Sequence, residues 1–261
     1  MSLVDQWLEW LEVDRARSKN TISTYARTLR TVPDPATATR EDIEAWWRER
    51  AATLSIASRN NELSALRQFY RWCQRFEHRE DDPTARLDAL KLPGRVSRFV
   101  GTADLKRLLS TLPDDLRRAV ALGAYSGIRV SEAAALHWRD IDSDSRRMVV
   151  RGKGDKERRV GISVTLLDQL LPDVGGNVVT GTDHEYSGHY LQNKVNAAIK
   201  GAGVDATFHK LRHRYGYKAA EAGIPITSIA NAMGHSSTTT TAGYIAAVDS
   251  DLDRIAEAAV S

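Results

Sequence analysis

The 261-residue chain has a single cysteine, Cys73. One thiol cannot close a disulfide within the chain and is too few for a cysteine-ligated metal site. Long apolar runs are missing as well. No stretch approaches the roughly 20 residues that a membrane span needs, and the opening MSLVDQWLEW is too acidic for a secretory signal. Internal repeats and long low-complexity tracts are absent. What is there has the balance of a globular protein, 42% hydrophobic and 27% charged, long enough for one large domain or two ordinary ones. The expectation is a cytoplasmic protein with no membrane partner.

A net charge of +3 hides an asymmetry. Residues 1–90 carry 14 Lys and Arg against 15 Asp and Glu, whereas residues 91–261 carry 23 against 19. Arginine outnumbers lysine 28 to 9. The guanidinium fork matches carboxylate and phosphate bidentately, so this usage leans slightly toward an anionic partner.

The first ninety residues read as a helical bundle. Val4, Trp7, Leu8 and Leu11 fall on one helical face. Ser18 offers an N-cap before a helix through Ile22, Tyr25 and Leu29, which Pro33 and Pro35 end. Thr39, with Asp42 three residues on, opens a short helix through Trp46 and Trp47, and a long helix runs from about Ser55 to His78. Residues 91–100, punctuated by Pro93-Gly94 and basic through Lys91, Arg95 and Arg98, read as a linker.

A second domain spans 101–261. Helices are expected over Asp104–Leu112, Asp115–Ser126, Ser163–Leu171, Ser187–Gly201, His209–Ala222 and Ile226–Met233. Met148–Val150 and Arg159–Ile162 read as strands joined by a Gly152-Lys153-Gly154-Asp155 turn. The fold class is therefore mainly α, a bundle followed by an α+β domain with a small antiparallel sheet.

Chemistry-bearing side chains recur at element edges of this second domain: Arg129, Lys153, His209, Arg212, His235 and Tyr244. Taken singly, each has an ordinary structural explanation: Arg129 and Glu132 an i,i+3 ion pair, Lys153 a solvated turn residue, Tyr244 a core ring. Together they are harder to dismiss. Glu132 is the one carboxylate among them, too few for a two-metal nuclease. Two arginines, a lysine and two histidines can instead neutralise charge on a pentacoordinate phosphorus without a metal. A tyrosine amid cations, its phenolate favoured, suits the nucleophile.

These residues sit in strings that resemble the boxes of the tyrosine recombinases, the phage integrase family. Ser126-Gly-Ile-Arg129-Val-Ser-Glu132 resembles the (T/S)GxRxxE box, and Arg151-Gly-Lys153-Gly-Asp-Lys-Glu-Arg158 the β-hairpin lysine segment. Thr207-Phe-His209-Lys-Leu-Arg212-His213 resembles the HxLRH box, and Met233-Gly-His235-Ser-Ser with Tyr244 nine residues later the LGHxS…Y ending. Ser126 and Met233 are mild departures, where threonine and leucine are commoner. The segments Lys19–Tyr25 and Asn61–Tyr70 resemble the SAM-like core-binding domain that clamps DNA.

The resemblance implies that Tyr244 attacks the scissile phosphate to give a 3′-phosphotyrosyl ester, that Arg129 and Arg212 grip the non-bridging oxygens, and that Lys153 protonates the 5′-oxygen, with Lys156 a competing acid. It implies that His209 assists proton transfer, His235 hydrogen-bonds the phosphate and Glu132 orients the site from behind. It further implies DNA contacts from Lys19, Thr21, Tyr25, Arg59, Asn60, Arg67, Arg95 and Lys156, with no metal and no cofactor. The expected partners are double-stranded recombination sites and further copies of the chain, a tetramer in synapsis exchanging a C-terminal helix over Asp249–Ala259. Accessory DNA-bending or directionality proteins would complete the set, in a nucleoid-associated setting. The type expected from the resemblance is a compact one without an arm-binding domain, as in a phage or mobile-element integrase or an Xer-like resolvase.

Three other readings stay open on the residues alone. His209 and His213 at i,i+4 have the spacing of a zinc hydrolase, although the HExxH glutamate is missing. A DNA-binding regulator without turnover and a type IB-like topoisomerase without strand exchange are the others. The Gly152-Lys153-Gly154 turn lacks the flanking residues of a P-loop.

Overall fold

The computed structural model describes residues 1–92, 99–152, 156–171 and 175–234. The chain divides into two units, Met1–Arg95 and Val96–Ser261.

The first unit holds helices α1 (Leu3–Val13), α2 (Lys19–Leu29), α3 (Arg40–Thr53) and α4 (Ile56–Arg75). Each begins on a hydroxyl. Ser2 and Thr39 form reciprocal capping boxes with Asp5 and Asp42, and Ser18 and Ser55 accept from the N–H groups of Thr21 and Ser58. Such caps satisfy donors that the first turn leaves orphaned, about 1 kcal/mol each. The third helix is longer than the short one its sequence suggests, because no breaker intervenes before Leu54. Its apolar face (Ile43, Trp46, Trp47) meets Trp7, Leu29, Leu63, Leu66, Phe69 and Cys73 in one buried core.

The second unit runs α5 (Thr102–Thr111), α6 (Asp114–Ser126), α7 (Val130–Ala134), a 3-10 turn (Trp138–Asp140), β1 (Ile141–Asp142), β2 (Arg147–Arg151), β3 (Glu157–Gly161), α8 (Val164–Leu170), α9 (Gly188–Gly201), α10 (Phe208–Glu221) and α11 (Ile226–Met233). The strands make an antiparallel sheet in the order β1-β2-β3, with Met148 opposite Val160 and Arg151 opposite Glu157. Alternation along the strands buries Met148, Val150 and Val160 and leaves Arg147, Arg151, Glu157 and Arg159 outward. Two elements go beyond the sequence expectation. The β1 strand is two residues long and α7 five, both shorter than the windows in which a hydrophobic period registers.

Helix α6 lies at the centre, buried through Ala119, Val120, Ala121 and Leu122, with α10 against it. Gly123 allows this closeness, since a Cβ there would stand 3.0 Å from the Phe208 ring. The start of the unit is fastened to the same α10: Phe99 stacks on Tyr217 with ring centroids 3.9 Å apart, and buried Arg214 donates to the Val100 carbonyl (3.1 Å) and Thr102 Oγ1 (3.3 Å). Among the described residues no helix is long and apolar enough to cross a membrane.

Candidate active site

Helix α6 stops at Gly127, whose φ of +64° lies in the left-handed region. That C-terminal turn redirects the chain so that Arg129 becomes the N-cap of α7. The Arg129 backbone N–H donates to Glu132 Oε2 (2.7 Å) and its Nη1 to Glu132 Oε1 (2.9 Å). Its Nη2 donates to the Gly234 carbonyl (2.6 Å). The Glu132 side chain is only 3% exposed and Arg129 41%, so the pair has a buried acid beneath an accessible guanidinium.

Glu132 takes a second arginine. Arg158, on β3, donates from Nη1 to Oε1 (2.9 Å) and from Nη2 to Oε2 (2.8 Å). Burial works to raise the Glu132 pKa, but the Arg158 fork and the Arg129 contacts outweigh it and hold the carboxyl below its ordinary value. A buried anion with four charge-assisted or backbone donors is a rigid support.

Arg212, on α10, is almost wholly buried. Its Nη1 donates to the Gly127 carbonyl and its Nη2 to the Met233 carbonyl (2.7 Å). Three arginines from three separate elements thus hold three successive carbonyls at the end of α11: Arg158 Nε holds Ala232 (2.9 Å), Arg212 holds Met233 and Arg129 holds Gly234. A helix C-terminus concentrates unpaired carbonyls and partial negative charge, which is why cations collect there. Gly234 closes α11 at φ +67°, and a Cβ there would stand 2.9 Å from Arg158 Nη1.

His209 begins the exposed side of α10, three residues before Arg212. Its ring meets His213 edge to face, centroids 4.3 Å apart. Crowding by protein, with the guanidiniums of Arg212 and Arg129 nearby, lowers its pKa, so the imidazole is neutral at pH 7 and able to accept a proton. Among the described residues no group of three or more His, Cys, Asp or Glu side chains is arranged to hold a metal ion.

The structure therefore brings Arg129, Glu132, His209 and Arg212 to one end of α11. Across residues 153–155 the Gly152 N–H donates to the Lys156 carbonyl (2.9 Å), and Lys156 is exposed. Lys153 itself, His235, Tyr244, Arg95 and the tail over Asp249–Ala259 lie outside the described residues. Arg158 is the residue that spacing does not single out: its partners lie 26 and 74 positions away.

The candidate DNA-contacting residues of the first unit divide by what they touch. Lys19 is exposed at the start of α2, while Thr21 Oγ1 lies 2.9 Å from the Ser18 hydroxyl. Tyr25 stacks on Trp7 and accepts from Gln68 (2.7 Å). Arg59 lies 4.1 Å over the Trp47 ring and donates to its carbonyl. Asn60 pairs with both backbone groups of Leu90 (2.8 and 2.9 Å), and Arg67 donates to the Leu87 carbonyl. Side chains of α4 thus strap the chain that follows it onto the bundle.

A helical bundle is thus followed by an α+β unit in which paired arginines converge on a helix end. The match to known families identifies this arrangement. The model of the phage integrase family covers residues 98–250 and that of the phage integrase N-terminal SAM-like domain residues 4–76, and the chain belongs to this family. It is 30% identical to the tyrosine recombinase XerC of Xanthomonas campestris pv. campestris (strain B100), covering 94% of this chain and 84% of that one. It is 27% identical to the XerD of Brucella suis biovar 1 (strain 1330), covering 97% and 94%. A dimer of a lambda integrase fragment (75–356) bound to a COC′ core site has the same fold, with TM-score 0.77, 22% identity and 93% and 94% coverage.

Proposed function

We propose that the guanidiniums of Arg129 and Arg212 grip the scissile phosphate of a duplex DNA recombination site while Tyr244 attacks it. Membership of the family makes the chain a site-specific recombinase that breaks and rejoins DNA through a 3′-phosphotyrosyl intermediate. In that reaction the Tyr244 oxygen forms a bond to phosphorus as the bond to the 5′-oxygen breaks. Lys153 gives its proton to the departing oxygen, and neutral His209 receives the phenol proton. One ester replaces another, so a 5′-hydroxyl from a second strand can reverse the step without an external energy source.

The observation that carries this reading is the fixing of Arg129 and Arg212 by the carbonyls of Gly234 and Met233. It holds two cations ready for charge that develops in the transition state, at no reorganisation cost during reaction. His235 follows directly and contributes a hydrogen bond to the phosphate. Lys156 contacts the DNA backbone beside the Lys153 turn. Lys19, Thr21, Tyr25, Arg59, Asn60, Arg67 and Arg95 form the first unit's DNA face, with Asn60 and Arg67 acting through the chain they hold. Copies of the chain assemble as a tetramer around two sites by exchanging the C-terminal tail, and accessory DNA-bending or directionality proteins act on that assembly in the cytoplasm. Lambda integrase gives precedent for the stoichiometry, having been solved as a tetramer bound to a Holliday junction.

The test uses DNA recovered and sequenced after crosslinking to the protein in its host, rebuilt as a nicked suicide duplex. Wild type should accumulate a covalent adduct, and Tyr244→Phe should bind the duplex equally and form none. An adduct in the Phe variant removes Tyr244 as the nucleophile.

A further inference from the structure

We propose that Arg158 is a positioning residue for DNA cleavage, acting through Glu132 and the end of α11 to set the orientation of Arg129. This inference rests on the reading of Arg129 as a phosphate-gripping group.

Arg158 occupies a junction between three elements. It lies on β3, the strand that begins just after Lys156. Its two Nη atoms grip both oxygens of Glu132 on α7, and its Nε holds the Ala232 carbonyl on α11. Glu132 in turn holds Arg129 by backbone and by guanidinium. A lysine could satisfy the charge but has no planar fork to span a carboxylate and a carbonyl at once. Lysine at 158 would leave either Ala232 or one Glu132 oxygen without its Arg158 donor, so that part of the Glu132 support would rest on Arg129 alone. Arg158 is itself largely buried, its side chain 14% exposed, and its donors are turned toward protein.

The experiment compares wild type, Arg158→Lys, Arg158→Ala, Glu132→Ala and the Arg158→Ala/Glu132→Ala double variant on the suicide duplex described above. DNA affinity is measured by binding, the cleavage step by single-turnover adduct formation, and folding by thermal melting. Arg158→Lys should keep its affinity within about 3-fold and lose roughly 10–100-fold in cleavage rate, the usual cost of removing a group that orients a reacting one. The double variant should cleave no more slowly than the worse single variant, because both changes break one chain of contacts. Multiplying losses in the double variant, or wild-type cleavage by a folded Arg158→Lys, would overturn the proposal. Absence of an adduct with wild type would instead overturn the reading of the site itself. Should Arg158→Ala not fold, Arg158→Lys with Glu132→Gln gives the same comparison.

Discussion

Replacing Gly127 by alanine attacks the hinge on which Arg129 is mounted, and two separable costs follow from the geometry. The first is conformational: an L-residue at φ +64° costs about 1–2 kcal/mol. The second is steric. An ideal Cβ at this position falls 2.4 Å from Tyr215 Cδ1 and 2.8 Å from Cγ, the nearer approach about 1 Å inside ordinary carbon contact. Tyr215 belongs to α10, which is packed on α6, so the ring cannot simply swing away, and overpacking of this kind costs about 1–3 kcal/mol. Together they amount to about 3 kcal/mol. For a domain of this size each kcal/mol lowers the melting temperature by about 2–4 °C, so a fall of about 6–12 °C is expected. Gly203→Ala is the control: its φ is +70° but nothing lies within 4 Å of the added Cβ, so it should show the conformational part alone. Gly127→Ala should also slow cleavage, since the Gly127 carbonyl anchors Arg212. The assay is thermal unfolding of both variants, repeated in a Tyr215→Ala background that should recover most of the steric part. Equal melting temperatures for the two alanine variants would refute the reasoning, as would no recovery on trimming Tyr215.

Two pH dependences follow. His209 should be neutral throughout the neutral range, so any acid limb of the single-turnover cleavage rate that belongs to it lies below pH 6.5; a limb above that value, abolished by His209→Gln, would contradict the electrostatics described. Glu132 has a folded pKa below its unfolded one, so the unfolded chain binds the proton more readily and the stabilisation is lost as pH falls. The melting-temperature gap between wild type and Glu132→Gln should be constant above the ordinary glutamate range and shrink below it; a gap that widens on acidification would show the sign to be wrong.

Helix starts were legible because capping is local chemistry: Ser18 and Thr39 with Asp42 mark the residues before two helices, Ser163 and Ser187 were the expected first residues of two others, and the structure caps all four helices with those side chains. The Arg129–Glu132 pair is equally local. What escaped notice has in common either brevity or distance. Helix α7 and strand β1 are shorter than the windows over which a hydrophobic pattern registers. The arginine clamp on α11 joins residues up to 105 positions apart, and nothing in the spacing of Arg158 distinguishes a buried fork from a solvated strand end. Asn60 and Arg67 illustrate the same limit: polar residues on a long helix look like a surface for a ligand, while the fold uses them to hold Leu87 and Leu90.

The fastening of Phe99 and Val100 to α10 sets where the molecule can be cut. A fragment beginning at Gly101 would forfeit the stacked ring and the carbonyl that receives Arg214, leaving that buried cation with the Thr102 hydroxyl but without its backbone acceptor. That helix also carries His209 and Arg212, so an expression boundary chosen two residues too late would damage the reaction centre from a direction that no inspection of the reacting groups would reveal.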